Sequence, residues 1–281
     1  MKKWVTVIFV LLLGGCSSKL AYNNLDWLVY WYMDDYIELN NRQEAMFDEQ
    51  LDKWIDWHRS KELPAYINHL KLVKEDLAEN RLTEQRLLSH YTKATEHWQR
   101  LREEITPPLA SMAGELSDEQ VIRLFAALEK DNKETEEKIE ETNEWSEPER
   151  MEDRVESLEE DMEERIGSLT EEQQQLIQDM APGFMPSREL WLAYRRDLQQ
   201  RARVLFAGRK NNPDFTEQLT ALMLNPEQYR SEAFLQVWRN NRQQHARLAS
   251  SVASSLTAKQ KSKLEDEIND MIASLEDLLD E

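Results

Sequence analysis

Apolar residues recur along this chain at alternating steps of four and three. Leu87, Tyr91, Ala94, Trp98, Leu101 and Ile105 form one series, and Leu264, Ile268, Met271, Leu275 and Leu278 a second. Met151, Val155, Leu158, Met162, Ile166 and Leu169 form a third. This spacing gathers side chains on one narrow helical face, the seam along which long helices pack side by side. β-Branched runs of strand length are missing,. The pattern predicts helices over 22–38, 40–61, 64–80, 83–105, 117–145, 148–166, 170–180, 187–207, 214–223, 227–254 and 257–279. Pro64, Pro148, Pro213 and Pro226 are read as helix starts, where a missing N–H costs nothing. Pro107–Pro108 and Pro182–Pro186 are read as loops. The expected fold is all-α, an elongated bundle of antiparallel helical hairpins.

A short string marks several of these starts. "LNNRQ" (39–43), "LSDEQ" (116–120), "LTEEQ" (169–173) and "LTAKQ" (256–260) share L-[STN]-x-x-Q. It has the form of a capping box. Asn40, Ser117, Thr170 and Thr257 would accept from a first-turn backbone N–H, and Gln43, Gln120, Gln173 and Gln260 would reach back to the cap's own N–H. The repeat is read as local, because its irregular spacing does not fit a solenoid.

The N-terminus is different in kind. Lys2 and Lys3 precede an apolar run from Trp4 to Leu13, then Gly14, Gly15 and Cys16, the one cysteine of 281 residues. The order is that of a secretory signal peptide, and the run is too short to span a bilayer as a stable helix. With a single cysteine, no intrachain disulfide competes for the thiol. The string L-G-G-C resembles the bacterial lipobox. That resemblance implies cleavage before Cys16 and attachment of fatty acids, palmitate among them, to it. Several acyl chains give a stable anchor where one would not. Ser17 after the cysteine implies, by the same resemblance, transfer to the outer membrane of a Gram-negative cell. The expected organisation is a signal peptide (1–15), a lipidated linker (16–21), an N-terminal helical region (22–110) and a C-terminal one (111–281) packed with it as one domain.

Loss of Lys2 and Lys3 leaves 33 Lys+Arg against 55 Asp+Glu, a net charge of −22. Such a chain repels phosphates, so no general nucleic-acid footprint is expected. Nine tryptophans and ten methionines supply core volume, unlike a disordered acidic tail. The charge is unevenly spread. Residues 129–165 carry 18 acidic and 6 basic residues, while 188–210 carry seven basic and two acidic. Either the two blocks neutralise one another across the bundle, or Arg195, Arg196, Arg201 and Arg203 face an anionic envelope ligand such as lipid phosphate or peptidoglycan.

Signatures of catalysis are largely missing: G-x-S-x-G, H-E-x-x-H, C-x-x-C and a phosphate-cradling glycine loop do not occur,. His90 and His97, seven apart, share a helix face and with Glu96 have the composition of a metal site, yet histidine is also common on amphipathic helices; no metal or cofactor is expected. In "WYMDDY" (31–36), Trp31 with Trp27 and Tyr30 fits one stripe, read as core or as a surface meeting a membrane or partner. Asp34 and Asp35 point about 100° apart on a helix, a poor acid–base pair. In "WIDWHR" (54–59), Trp54, Trp57, His58 and Arg59 form either a recognition patch or part of the core.

The segment "CSSKLAYNNLDWLVYWYMDDYIELNNRQ" with "WIDWHRSKELPAY" resembles a family of Gram-negative lipoproteins of unknown function, most clearly over 16–66. The four L-[STN]-x-x-Q strings resemble, more weakly, the L-T-x-x-Q motif of Spy-like periplasmic chaperones, small helical proteins that hold unfolded clients. Together these imply a lipid-anchored protein on the periplasmic face of the outer membrane, non-enzymatic, binding an envelope protein or polymer or acting as a chaperone. The alternative is an enzyme acting on an envelope substrate through Asp34, Asp35 and His58.

Overall fold

The structure, a computed structural model, describes residues 21–280; Cys16 and residues 1–15, the segment expected to be a signal peptide, lie outside them. Eleven α-helices follow in order: α1 (Leu25–Met33), α2 (Asn41–Trp57), α3 (Leu63–Ala78), α4 (Glu84–Ala113), α5 (Asp118–Glu144), α6 (Glu147–Ile166), α7 (Glu171–Met180), α8 (Arg188–Gly208), α9 (Phe215–Leu224), α10 (Glu232–Ser254) and α11 (Ala258–Leu279). No strand occurs among the described residues, so the all-α expectation holds.

Helix α4 is the spine. Its 30 residues run about 45 Å, and α2, α3, α9 and α10 all pack on it. The division expected at residue 110 falls inside this helix. Of the three seams, two face the core. On α11, Ile268 is buried and Leu264, Met271 and Leu275 are partly buried against Ile67 and Leu77 of α3, with Ile272, outside the expected series, buried beside them. On α6, Leu158 and Ile166 pack with Ile177 of α7 and Leu248 and Val252 of α10. Each such side chain is worth ~1.5–3 kcal/mol when fully buried. The α4 seam is only partly covered: Tyr91 and Trp98 are 49 % and 41 % exposed. Arginines roof them instead, Arg242 over Tyr91 at 5.7 Å and Arg102 over Trp98 at 5.9 Å,.

The proline reading needs three corrections. Pro64 does not open a new helix. α2 runs into α3 through a π-helical turn, His58–Glu62, in which the Leu63 N–H reaches back to His58 O; one extra residue per turn lets the chain pass Pro64 without a break. Pro107 and Pro108 sit inside α4. Their missing N–H groups would have bonded the carbonyls of Glu103 and Glu104, two residues on the exposed side of the helix. Pro226 opens only a 3-10 turn, Pro226–Tyr229, and α10 starts later, capped by Ser231, whose hydroxyl accepts from the Phe234 N–H.

All four expected capping boxes are present, but they are not local. They meet in pairs. Gln43 Nε2 donates to Gln120 Oε1 at 3.0 Å, and Gln120 Nε2 donates back to Gln43 Oε1 at 2.7 Å. Gln173 and Gln260 repeat the exchange at 3.1 and 2.8 Å. Each amide also donates across to the loop before its partner's cap: Gln43 to Glu115 O, Gln120 to Glu38 O, Gln173 to Ser255 O and Gln260 to Ser168 O. Each Oε1 takes two N–H groups, its own cap's and its partner's. Both donors and both acceptor positions of every glutamine are therefore filled. Two clasps join distant helix starts, α2 to α5 and α7 to α11. Glutamate, equally good in a capping box, could not make them.

Candidate functional site: a row of histidines between α3 and α4

Along the π-turn and α3, Glu62, His69 and Asp76 recur every seven residues; along α4, His90 and His97 do the same, flanked by Arg86 and Arg100. Seven residues are nearly two helical turns, so each set forms a stripe. The short connection between α3 and α4 makes the helices antiparallel neighbours, and the two polar stripes face one another.

The result is a continuous hydrogen-bonded row. Arg100 Nε and Nη2 hold Glu62 Oε1 and Oε2 at 2.6 and 3.0 Å. Glu62 Oε2 lies 3.2 Å from His97 Nδ1, and Arg100 Nη2 also reaches that nitrogen, at 2.5 Å. His97 Nε2 meets His69 Nδ1 at 3.2 Å, and His69 Nε2 meets His90 Nδ1 at 3.1 Å. His90 Nε2 ends the row on Asp76 Oδ2 at 2.8 Å. Arg81 and Arg86 complete the Asp76 end. The three rings stack nearly parallel, with centroids 5.2 and 5.3 Å apart.

Both carboxylates are buried, Asp76 at 0 % and Glu62 at 2 % exposure. Burial pushes the Asp76 carboxyl up, but hydrogen bonds from Arg86, His90 and Arg81 outweigh it and hold the group at about 2,. Glu62 follows the same balance, held low by Arg100 and His97 against its burial. Burial drives His69 down to about 4, helped by His90, His97 and Lys93. His97 is lowered too, first by burial. A side branch holds His58, whose Nδ1 lies 3.1 Å from Tyr22 Oη and whose ring packs edge-on to Tyr66; burial lowers it, and the carboxylate acting on it is Glu62.

The residues singled out in the sequence are dispersed. Trp31 stacks on Trp27 at 6.4 Å, and the pair is 48 % and 62 % exposed. Asp34 and Asp35 are exposed at the end of α1, where the Asp34 carbonyl accepts from Arg123. Trp54 is core, edge-on to Phe47. Trp57 is half-buried, as is Arg59, which lies over the Tyr22 ring at 5.7 Å. In the basic segment, Arg196 clamps Glu136 with two bonds of 2.8 and 2.9 Å. Arg195 donates to Asp131 O and Thr135 Oγ1 of the same acidic helix. Arg201 pairs with Asp197 and covers Tyr229, and Arg203 covers Phe125. Arg195 and Arg196 thus serve the α5–α8 contact. His90 and His97 share a face, but they aim at His69 rather than at a common point. Among the described residues no group of three or more His, Cys, Asp or Glu is arranged to hold a metal ion.

The model of a family of unknown function, DUF6279, matches residues 35–235, a span that contains the whole histidine row, and the chain belongs to that family. Neither a curated protein nor a solved structure matches the chain.

Proposed function

We propose that this member of the DUF6279 family is a non-enzymatic lipoprotein of the outer membrane. Acyl chains on Cys16 would hold it to the periplasmic face, and its helical body would bind an envelope protein or polymer; a chaperone-like holdase is one form of that role. The exposed Trp27–Trp31 pair carries the reading. Tryptophan is seldom left half or more in water, and paired exposed indoles favour the level of lipid headgroups. Asn24, the cap of α1, lies eight positions after Cys16. Fully extended, that stretch spans at most ~29 Å, so an anchored Cys16 keeps α1 close to the bilayer. No described helix is long and apolar enough to cross it. A binding role fits the histidine row, since all six ring nitrogens are engaged within the protein and leave none to a substrate.

The test is fluorescence quenching of the lipidated chain in vesicles whose acyl chains carry bromine. Changing Trp27 and Trp31 to phenylalanine keeps two apolar rings but removes two indoles. The quenched share of the emission should drop sharply. Equal quenching in variant and wild type would mean that these indoles do not meet the membrane.

A further inference from the structure

The histidine row has a proton count that can be worked out from its ends. It contains four links, Glu62–His97, His97–His69, His69–His90 and His90–Asp76, and each needs one proton to be a hydrogen bond. Three neutral imidazoles supply three. Asp76, gripped by Arg81 and Arg86, is an acceptor, so His90 must present Nε2–H to it. A neutral His90 then has a bare Nδ1, which must accept from His69 Nε2–H. By the same step His69 accepts from His97 Nε2–H. His97 Nδ1 is left bare, and Arg100 Nη2 donates to it. The Asp76 end thus sets all three tautomers, with every donor directed from Arg100 toward Asp76. One contact stays unfavourable: the His97 Nδ1 lone pair faces Glu62 Oε2, acceptor against acceptor, beside a carboxylate that is 2 % exposed.

We infer that the row is a binding site for a single proton, which enters at His97 Nδ1, is shared by the three rings and excludes a second. The added proton forms an Nδ1–H bond on His97, while the buffer acid that supplies it leaves as its conjugate base. The Glu62 contact becomes N–H···O, and each of the four links then holds one proton. Shifting Nε2–H to the next Nδ1 moves the charge from His97 to His69 to His90. A second proton finds only nitrogens that already face an N–H, and two imidazolium rings little more than 5 Å apart repel. Uptake also sets Arg100 Nη2 against a donor. Arg100 gives up His97 and keeps Glu62, which its 41 % exposed side chain allows.

The surrounding charges are consistent with one positive charge in the row. Glu62 and His58 face it from the π-turn, Tyr66 and Asp76 from α3, Arg81 from the following loop, and Arg86, Lys93, Glu96 and Arg100 from α4. Helix α10, packed on α4, directs Arg247 to Glu84 and Arg242 to Leu88 O and Thr92. Helix α9, also on α4, is followed by Glu227, which pairs with Arg102. Helix α11, packed on α3, directs Glu276 to Lys71. Burial lowers His69 and His97 from the ordinary histidine value,. In the periplasm, a location that rests on the function proposed above, such a site would read the acidity of the medium; the proton site itself does not depend on that location.

The experiment is a pH titration of the full chain, labelled with 15N in its histidine rings, from about pH 8 downward. At alkaline pH the 15N shifts of His69, His90 and His97 should all show the Nε2–H tautomer. On acidification the three should move together in one transition, each reaching about a third of a full imidazolium shift. Glu62→Gln offers His97 Nδ1 an amide N–H in place of a carboxylate and should weaken proton uptake about tenfold or more, a midpoint about one pH unit lower. The inference is overturned by an Nδ1–H tautomer in any of the three rings at pH 8, or by three full, separate imidazolium shifts. It is equally overturned by a row that stays neutral until the chain unfolds and His58 and His245 shift with it, or by an unchanged midpoint in a folded Glu62→Gln. If that variant does not fold, the wild-type titration decides alone.

Discussion

Asp76→Ala will lower the unfolding free energy by about 3–5 kcal/mol, the usual cost of removing one partner of a buried ion pair. The carboxylate is fully buried and accepts from Arg81, Arg86 and His90. Arg81 and Arg86 are 45 % and 40 % exposed and can turn toward water, which favours the lower end. The His90 Nε2–H cannot, and its tautomer loses the group that fixes it. Lys71→Ala, which breaks an exposed pair with Glu276, will cost ~1 kcal/mol or less. Urea unfolding of both variants against wild type gives the comparison. The sign with pH follows from the shifts. The Asp76 carboxyl is depressed to about 2 in the folded chain, so its contribution is complete above the unfolded value of ~4 and fades as pH falls toward 2. His69, lowered to about 4, takes up its proton less readily folded than unfolded. It therefore subtracts stability as pH falls from ~6.5 toward 4. Both act in the same direction, so the wild type loses stability from about pH 6.5 downward, while its advantage over Asp76→Ala narrows only below ~4.

Gln173→Glu will be nearly as damaging although the new side chain has the same shape. Glutamate preserves the capping box, since its carboxylate still accepts from Thr170 N–H. It loses both Nε2 donors, leaving Ser255 O without its cross-loop bond and setting a carboxylate oxygen against Gln260 Oε1. Gln173 is 0 % and Gln260 4 % exposed, so the clash of the two oxygens is buried, while Ser255 O is partly buried. An unsatisfied buried group costs ~1–3 kcal/mol, and two of them put the expected loss at ~2–6 kcal/mol. Thr170→Ala, which removes only the cap, should cost ~0.5–2 kcal/mol. Thermal unfolding of the two variants decides between clasp and cap. A Gln173→Glu variant as stable as wild type would mean that the glutamine pair contributes nothing beyond the box.

What could be read from the sequence was local. Helical seams on α6 and α11 are written in steps of three and four, and each cap in five residues. What was missed depends on which stripes meet. Nothing in "LTEEQ" shows that Gln173 will find Gln260, 87 positions on. His90 and His97 are visible as a seven-residue pair, but their meaning comes from a second stripe, Glu62–His69–Asp76. That stripe is hidden in the sequence because Pro64 has the look of a helix start, which leaves Glu62 in a gap between helices. The π-turn carries the chain past the proline and restores the spacing of seven. Pro107–Pro108 misled in the same way: a proline within a helix is tolerated when the freed carbonyls belong to its exposed side, and local sequence does not show which side that is. The Trp27–Trp31 stripe was legible as a stripe, but its exposure was not, since aromatic spacing is the same for a core face and a membrane face.

Attachment to the membrane through Cys16 is the claim on which the proposed role stands, and metabolic labelling with an alkyne fatty acid reads it directly. The full-length chain, expressed in a Gram-negative cell, should incorporate the label, fractionate with the outer membrane and lose its first fifteen residues. Cys16→Ser should carry no label and persist as an uncleaved or mislocalised precursor. Equal labelling of wild type and Cys16→Ser, or none in either, would contradict the account.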